Sequence, residues 1–83
     1  MNSTGAATAP GRPVISSVEA LQIADLDASR AYQDLSLFRI ELTRETDGWH
    51  VDYELKDRRL HGGGPHYLID AATGTILTKR YEQ

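Results

Sequence analysis

Two histidine–carboxylate pairs are the residues of this chain whose types and spacing suggest chemistry. His50 and Asp52 are two residues apart, and His66 and Asp70 are four apart, so each pair shares one face of an extended strand. If the two strands are neighbours, the four side chains meet, and imidazole with carboxylate can bind zinc or iron. The alternation of a strand also places such residues on any solvated sheet face, and no His-x-x-x-His spacing fixes a ligand pair. We therefore expect surface histidines paired with carboxylates, and no metal or other cofactor.

Three consecutive glycines before a proline form the second candidate site. The backbone N–H groups of Gly62, Gly63 and Gly64 could cradle a phosphate, but a phosphate-binding loop needs a following Lys-Ser/Thr and a helix. Here Pro65 and a β-rich run follow. We interpret the glycines as a loop that needs positive φ angles or a close backbone approach before an edge strand.

Acid–base catalysis has little support in the sequence. Carboxylates such as Glu41, Asp52, Glu54 or Asp70 would need a cleft that moves their pKa values apart. A small domain with one open sheet face excludes little water. We expect Asp70 to accept N–H hydrogen bonds from the turn that follows it. No catalytic triad is recognisable, and we predict that the chain is not an enzyme.

Hydrophobic spacing predicts the elements that position these residues. Ser16 and Glu19 have the spacing of a capping box, and apolar residues at helical spacing predict a helix from about Ser17 to Arg30, fraying through Asp34. We expect one buried face and one acidic face. The buried face is predicted to contain Val18, Leu21, Asp25, Ala28, Ala31 and Tyr32, broadened by Ile23, Ala24 and Leu26.

Two hairpins are predicted after the helix. Residues 35–45 and 49–56 alternate in polarity around the turn Thr46-Asp47-Gly48, and residues 66–70 and 75–81 flank a turn at Thr73-Gly74. The residues expected to face the core are Phe38, Ile40, Leu42, Trp49, Val51, Tyr53 and Leu55, with Tyr67 and Ile69. Leu68 and Leu77 then fall on the opposite face, which suggests that another subunit or a partner covers them.

The predicted architecture is α+β, with one N-terminal helix packed on a four-stranded antiparallel meander sheet. Residues 14–83 are expected to form a single domain, and residues 1–13, which have one charge and little to bury, a disordered tail. A core of this size gives about 3–5 kcal/mol of net stability, and the chain has no cysteine. Dimerisation is therefore an open alternative.

Composition excludes several classes of partner. The net charge of −3 is spread along the chain and forms no basic stripe, so we expect no nucleic-acid partner. No apolar run approaches the roughly 20 residues that cross a bilayer, so we expect no membrane partner. The first residues do not form a signal peptide, which predicts a cytoplasmic protein, or a periplasmic one if a leader has been removed.

Parts of the chain resemble two known families. Residues 15–24 resemble the helical opening of PepSY-type domains, and the run from Tyr67 to Ile76 resembles their closing hairpin. A larger part is similar to a family of small bacterial immunity proteins with a nuclear-transport-factor-like, cystatin-like fold. That part comprises residues 49–53, residues 62–67, Ile69-Asp70, Thr73-Gly74 and residues 81–83. Both resemblances imply a helix on an antiparallel sheet, and neutralisation of another protein rather than catalysis. The chain is much shorter than a full nuclear-transport-factor-like domain and lacks the helices that close its pocket.

We therefore predict a non-enzymatic protein-binding module, an immunity or inhibitor-like protein that neutralises a toxin-like or peptidase-like partner. It would act through its open sheet face and its glycine-rich loop. The predicted partner-binding residues are Arg39, Glu41, His50, Asp52, Glu54, Arg58, Arg59, His61, His66 and Leu68. One alternative is a small-ligand or metal-binding domain that uses His50, His61 and His66. A structural homodimer is another.

Overall fold

A computed structural model describes residues 14–82, and the predicted disordered tail lies outside the described residues. These residues form helix α1 (Ser17–Ala31), a short 3-10 helix (Leu35–Leu37) and strands β1 (Phe38–Glu45), β2 (Gly48–Leu55), β3 (Pro65–Ile69) and β4 (Ile76–Tyr81). The strands form one antiparallel sheet in the order β1-β2-β3-β4. The predicted α+β fold, a helix and a four-stranded antiparallel meander, is confirmed.

Helix α1 begins at the predicted capping box. The Ser16 hydroxyl accepts from the Glu19 N–H at 3.1 Å, and the Ser16 N–H donates to the Glu19 carboxylate at 2.8 Å. The residue before the cap is tied to the sheet. The Ile15 N–H donates to the Ala71 carbonyl at 2.7 Å, and its carbonyl accepts from the Trp49 indole at 3.1 Å. The start of the helix is therefore fixed over the sheet.

The fully buried residues of α1 form an alanine stripe, and Leu21 and Ile23 of the predicted face pack partly buried against the core, whereas Val18 and Leu26 do not. Ala20, Ala24 and Ala28 are fully buried, and their four-residue spacing puts them in one line along the helix. Val18 and Leu26 are 62% and 60% exposed, because each is two residues, about 200° around the helix, from an alanine of the stripe. The small side chains let α1 approach the sheet closely, where it packs mainly on β2 and β3.

Two carboxylates of α1 point at the sheet and accept hydrogen bonds from tyrosines. Tyr53 donates to Asp25, Tyr67 donates to Asp27 at 2.8 Å, and Tyr81 donates to Asp27 at 2.6 Å. We call these contacts the tyrosine–aspartate bonds. Asp25 was expected on the buried face and lies there, but the acidic face was expected to point away from the sheet. Part of it is instead bonded to the sheet.

The hydrogen bonds to Asp27 affect the pKa of Asp27 and that of Tyr67. The hydrogen bond from Tyr81 lowers the pKa of Asp27; burial opposes this, and Tyr67 and Lys79 add to the lowering. Burial, reinforced by the bond to Asp27, raises the pKa of Tyr67 far above its usual range. At neutral pH the carboxylate is therefore ionised and the phenol protonated, so donor and acceptor remain matched.

The core lies between α1 and the face of the sheet that α1 covers, the inner face. Phe38, Tyr53 and Tyr67 are buried there, with ring centroids 6.4 Å apart for the first two and 6.2 Å apart for the last two. Both contacts are edge-to-face, the arrangement that ring quadrupoles favour. Ile40, a predicted core residue, is on this face opposite Tyr53 but is 39% exposed. The cause is that β1 extends beyond the part of the sheet on which α1 mainly packs.

Two local predictions need correction. Residues 35–37 form a 3-10 turn instead of the start of a strand, because the Asp34 carboxylate accepts from the Ser36 N–H at 3.0 Å and caps the turn. Strand β3 pairs with both β2 and β4, so it is an interior strand and not the expected edge strand. Pro65 is accommodated because it is the first residue of that strand.

The glycine run has the structural role that the sequence predicted. Gly62 has a φ of +96°, which favours glycine. A Cβ at Gly64 would lie 2.7 Å from the Cβ of Tyr53 and 3.0 Å from the Phe38 ring. The loop can therefore descend onto the aromatic core before β3 only without a side chain at this position.

We expect Gly64→Ala to lower the free energy of unfolding by about 1–3 kcal/mol, because the added methyl group overpacks the Tyr53 and Phe38 contact. Gly63→Ala is the matched control, since its nearest neighbour is the flexible carboxylate of Glu82. Urea denaturation of the two variants checks this. Equal losses of stability would contradict the assigned role of Gly64.

We expect Asp27→Asn to cost about 1–2 kcal/mol at neutral pH, because charge-assisted hydrogen bonds become neutral ones. The folded-state pKa of Asp27 is below 3.8, the usual value of an aspartate, so its contribution is present above that pH and is lost as the pH falls through the folded-state value. Denaturation midpoints between neutral and acidic pH should thus fall less steeply for the variant. An unchanged pH dependence would contradict the assignment.

Candidate functional site

The sheet face opposite α1, which we call the outer face, brings together seven of the ten predicted partner-binding residues. They are Arg39 and Glu41 on β1, His50, Asp52 and Glu54 on β2, and His66 and Leu68 on β3. All are exposed or half-buried. Strand β4 adds Thr78 opposite Leu68 and Arg80 opposite His66. Sequence analysis missed these two, because an irregularity in the pairing next to Leu68 and Ile69 breaks the simple alternation of β4.

Two histidines of the outer face are paired with carboxylates, as the sequence predicted. His50 Nε2 lies 2.8 Å from Asp47 Oδ1, and His66 Nδ1 lies 2.7 Å from Asp52 Oδ1. The hydrogen bond that the His50 imidazole donates to Asp47 raises the pKa of His50, and the same bond lowers the pKa of Asp47. Asp52 pairs with the histidine across the ladder and not with the one on its own strand.

Asp70 is not part of the outer-face cluster, although it was expected to share a face with His66. It lies in the turn after β3, where its carboxylate accepts from the N–H of Ala72 at 3.2 Å and of Thr73 at 2.8 Å. It also accepts from the Thr73 hydroxyl at 2.7 Å. The predicted role of Asp70 in the turn is therefore confirmed, and the four-residue arrangement of two histidines and two carboxylates does not form.

Among the charged and titratable side chains described on the outer face, that of His66 is the least exposed, at 16%. Its Nε2 lies 3.2 Å from Glu82 Oε2 but is not aligned for a hydrogen bond with any described residue, and it is shielded from solvent. Arg80 reaches the same Glu82 oxygen at 3.4 Å. Asp52 thus holds the His66 imidazole through Nδ1. If the Glu82 side chain moves away, Nε2 can form a hydrogen bond with another group.

Charges on β1 and β2 are arranged across the ladder. Arg39 Nη2 lies 2.8 Å from Glu54 and 3.8 Å from Glu41. All three side chains are at least 42% exposed, so these pairs contribute little to stability. They position charged groups of both signs on a rigid strand surface, where a partner can pair with them.

The loop that contains the predicted partner-binding residues Arg58, Arg59 and His61 is only partly available to a partner. Arg59 donates to Asp57 through Nε and Nη2, both at 3.0 Å, and this pairing lowers the pKa of Asp57. Within residues 14–82, Arg58 and His61 make no hydrogen bond or ion pair and are exposed. The loop reaches the outer face at Gly63, whose backbone runs against the Glu82 side chain.

Two shallow open grooves are the cavities nearest to the predicted residues. The first, of about 300 Å³, lies on the outer face and is lined by His50, Asp52, His66, Leu68, Thr78 and Arg80. The second, of about 450 Å³, lies at the end of α1 and is lined by Tyr32, Leu55, His61, Gly63, Tyr81 and Glu82. The histidines named in the metal-binding alternative are therefore divided between two grooves. Among the described residues, no group of three or more His, Cys, Asp or Glu side chains is placed to hold a metal ion.

Comparisons with known proteins add no family assignment. No family model, no curated protein and no solved structure matches the chain. The PepSY-like and immunity-protein resemblances therefore stay predictions.

We expect the pKa of His50, measured by NMR titration, to lie above 6.5 and to fall towards that value in Asp47→Asn, because the charged partner is removed. By linkage, this pair stabilises the fold below pH 6.5 and the contribution is lost as the pH rises through the folded-state pKa. The curves of the other two histidines are the internal control and should not respond. A His50 pKa unaffected by the substitution would contradict the pairing.

Proposed function

We propose that the protein is a non-enzymatic binding module that recognises a partner protein through the outer face of its sheet. The observation that carries the proposal is the composition and exposure of that face. Arg39, Glu41 and Glu54 present both signs of charge, and Leu68 lies among polar residues next to the groove. Helix α1 packs on the opposite face, so these side chains are accessible.

The geometry of the face suits recognition of a folded surface better than enclosure of a small molecule. Its groove is shallow and open, whereas small-molecule pockets bury most of the ligand. Strands β1, β2 and β3 hold the side chains on a paired backbone, so little backbone conformational entropy remains to be lost on binding. The unaligned Nε2 of His66 adds a donor or acceptor that a partner side chain could satisfy.

The class of partner is supported by the family resemblance. The immunity-protein resemblance suggests that the module neutralises a toxin-like or peptidase-like protein by covering its functional surface. Arg58 and His61, which are exposed at one end of the sheet, would contribute to the same contact, and Arg59 would have to leave Asp57 to do so. Arginine is favoured at such interfaces because its guanidinium pairs with carboxylates in bidentate fashion.

The compartment is proposed from the sequence alone. No helix within residues 14–82 is long and apolar enough to cross a bilayer. The cytoplasmic location predicted from the N-terminal residues belongs to this proposal, with the periplasm as the alternative.

We expect Leu68→Asp and Thr78→Arg to weaken capture of the partner from source-cell extracts at least about tenfold, because a charge or added bulk then lies at the centre of the contact. Thr78 is exposed, so its replacement leaves the core intact. Leu26→Asp is the matched control, since Leu26 is 60% exposed on α1 away from the sheet. Quantitative mass spectrometry of the captured proteins is the measurement.

The informative result is a protein that the wild type and Leu26→Asp retain and that both outer-face variants lose. Circular dichroism of each variant verifies the fold. Equal retention by all four proteins, or no specific partner for the wild type, would overturn the proposal.

A further inference from the structure

We propose that strand β1 is a self-association edge: two copies of this chain join through it, antiparallel and two-fold, with Ile40 opposite Ile40. This contact uses the edge of the sheet, whereas the proposed partner site is its outer face, although Arg39 and Glu41 belong to both. It begins from the difference between the two edge strands of the sheet, β1 and β4.

Strand β4 has the features that prevent edge pairing. Its ladder is irregular next to Leu68 and Ile69, and it carries Lys79 and Arg80. Lys79 and Tyr81 are also bonded to Asp27 of α1. Strand β1 also contains charged residues, among them Arg39 and Arg44, but it pairs with β2 over eight consecutive residues without irregularity and contains no proline. An open regular edge of this length is a template for another strand.

The backbone geometry determines which residues of β1 are available to a second strand. The Lys56 N–H donates to the Leu37 carbonyl at 3.0 Å, and hydrogen-bonded pairs alternate along an antiparallel ladder. Odd-numbered residues of β1 are therefore bonded to β2, and even-numbered residues direct their N–H and C=O groups to the open edge. Ile40 lies in the middle of this free set.

The charges of β1 select one register among the two-fold pairings that this backbone allows. With Ile40 opposite Ile40, each Arg39 lies opposite Glu41 of the other copy. Shifting the axis by one residue places Arg39 opposite Arg39 or Glu41 opposite Glu41, and like charges directly opposite are destabilising. A two-fold axis centred on Leu42 places Arg39 opposite Glu45 of the other copy, but it also places Arg44 opposite the apolar Ile40. The Ile40 register alone combines two opposite-charge pairs with apolar inner-face pairs.

The inner side of β1 explains why a second copy fits there. Ile40 is 39% exposed because α1 packs mainly on β2 and β3. In the joined sheet, Ile40 contacts its symmetry mate, and Phe38 contacts Leu42 of the other copy. With strands about 4.8 Å apart, the two helices lie about 19 Å apart, which leaves room for both.

Sedimentation velocity over a concentration series tests the inference with charge-reversal variants of the full chain. The wild type should dimerise, and Arg39→Glu and Glu41→Arg alone should each raise the dissociation constant by about tenfold or more, since each creates two like-charge pairs. An equimolar mixture of the two variants should form a heterodimer, because every cross-strand pair is then of opposite charge. The double variant should recover self-association.

Ile40→Pro is the second test, since it removes an N–H that faces the open edge and leaves the β2 ladder bonds in place; it should be monomeric. Circular dichroism and thermal unfolding verify that each variant is folded. A wild type that stays monomeric, a Glu41→Arg variant that dimerises normally, or variants that do not associate when mixed would overturn the inference. These results do not depend on partner capture, so the two proposals fail separately.

Discussion

The hydrogen bonds that Tyr53, Tyr67 and Tyr81 donate to Asp25 and Asp27 are the interaction on which the rest of the structure depends. The fully buried residues that the helix presents to the sheet are alanines, and Leu21 and Ile23 are only partly buried against the core, so the apolar area that holds the helix is small. The tyrosines supply the missing area with their rings and the directional contact with their hydroxyls. Buried carboxylates without these donors would carry a large desolvation cost. Helix and sheet are therefore interdependent.

This arrangement divides the sheet into parts with different roles. Because α1 is held over β2, β3 and the end of β4, strand β1 lies beyond it and keeps apolar side chains exposed on its inner side. The outer face has no share in holding the helix, so its charged residues are not constrained by the core. Its weak cross-strand ion pairs can exchange for contacts with another molecule at little cost in stability. The same packing thus leaves both an open face and an open edge.

Much of the fold follows from local sequence signals. The Ser16–Glu19 box, the Asp47-Gly48 turn and the regular alternation of the first hairpin are short-range patterns, and the elements form where those patterns lie. The seven outer-face residues were predictable for the same reason, since alternation fixes the face of each side chain. The paired β1 and β2 ladder then brings Arg39 and Glu54 together.

The remainder depends on contacts between distant residues. The sequence does not show that Asp27 would meet Tyr67 and Tyr81, since forty or more positions separate them. Rotation of α1 towards its alanines follows from those bonds, and hydropathy instead favoured Val18 and Leu26. Thr78 and Arg80 were missed because the pairing irregularity resets the alternation of β4. Asp70 was assigned to the outer face because the strand was expected to end one residue later than it does.

The alanine stripe has a further consequence for how uniquely the helix can be placed. Ala20, Ala24 and Ala28 repeat every four residues, so sliding the helix along its axis by about 6 Å superposes one alanine on the next. Packing of the alanines alone would hardly distinguish these placements, whereas Leu21 and Ile23, which also pack against the core, favour one of them. Asp25 and Asp27 do not repeat, and only one placement lets both reach their phenols. The polar contacts thus help to select a single alignment of the helix on the sheet from several in which the alanines pack similarly. This is a role in conformational specificity rather than in strength.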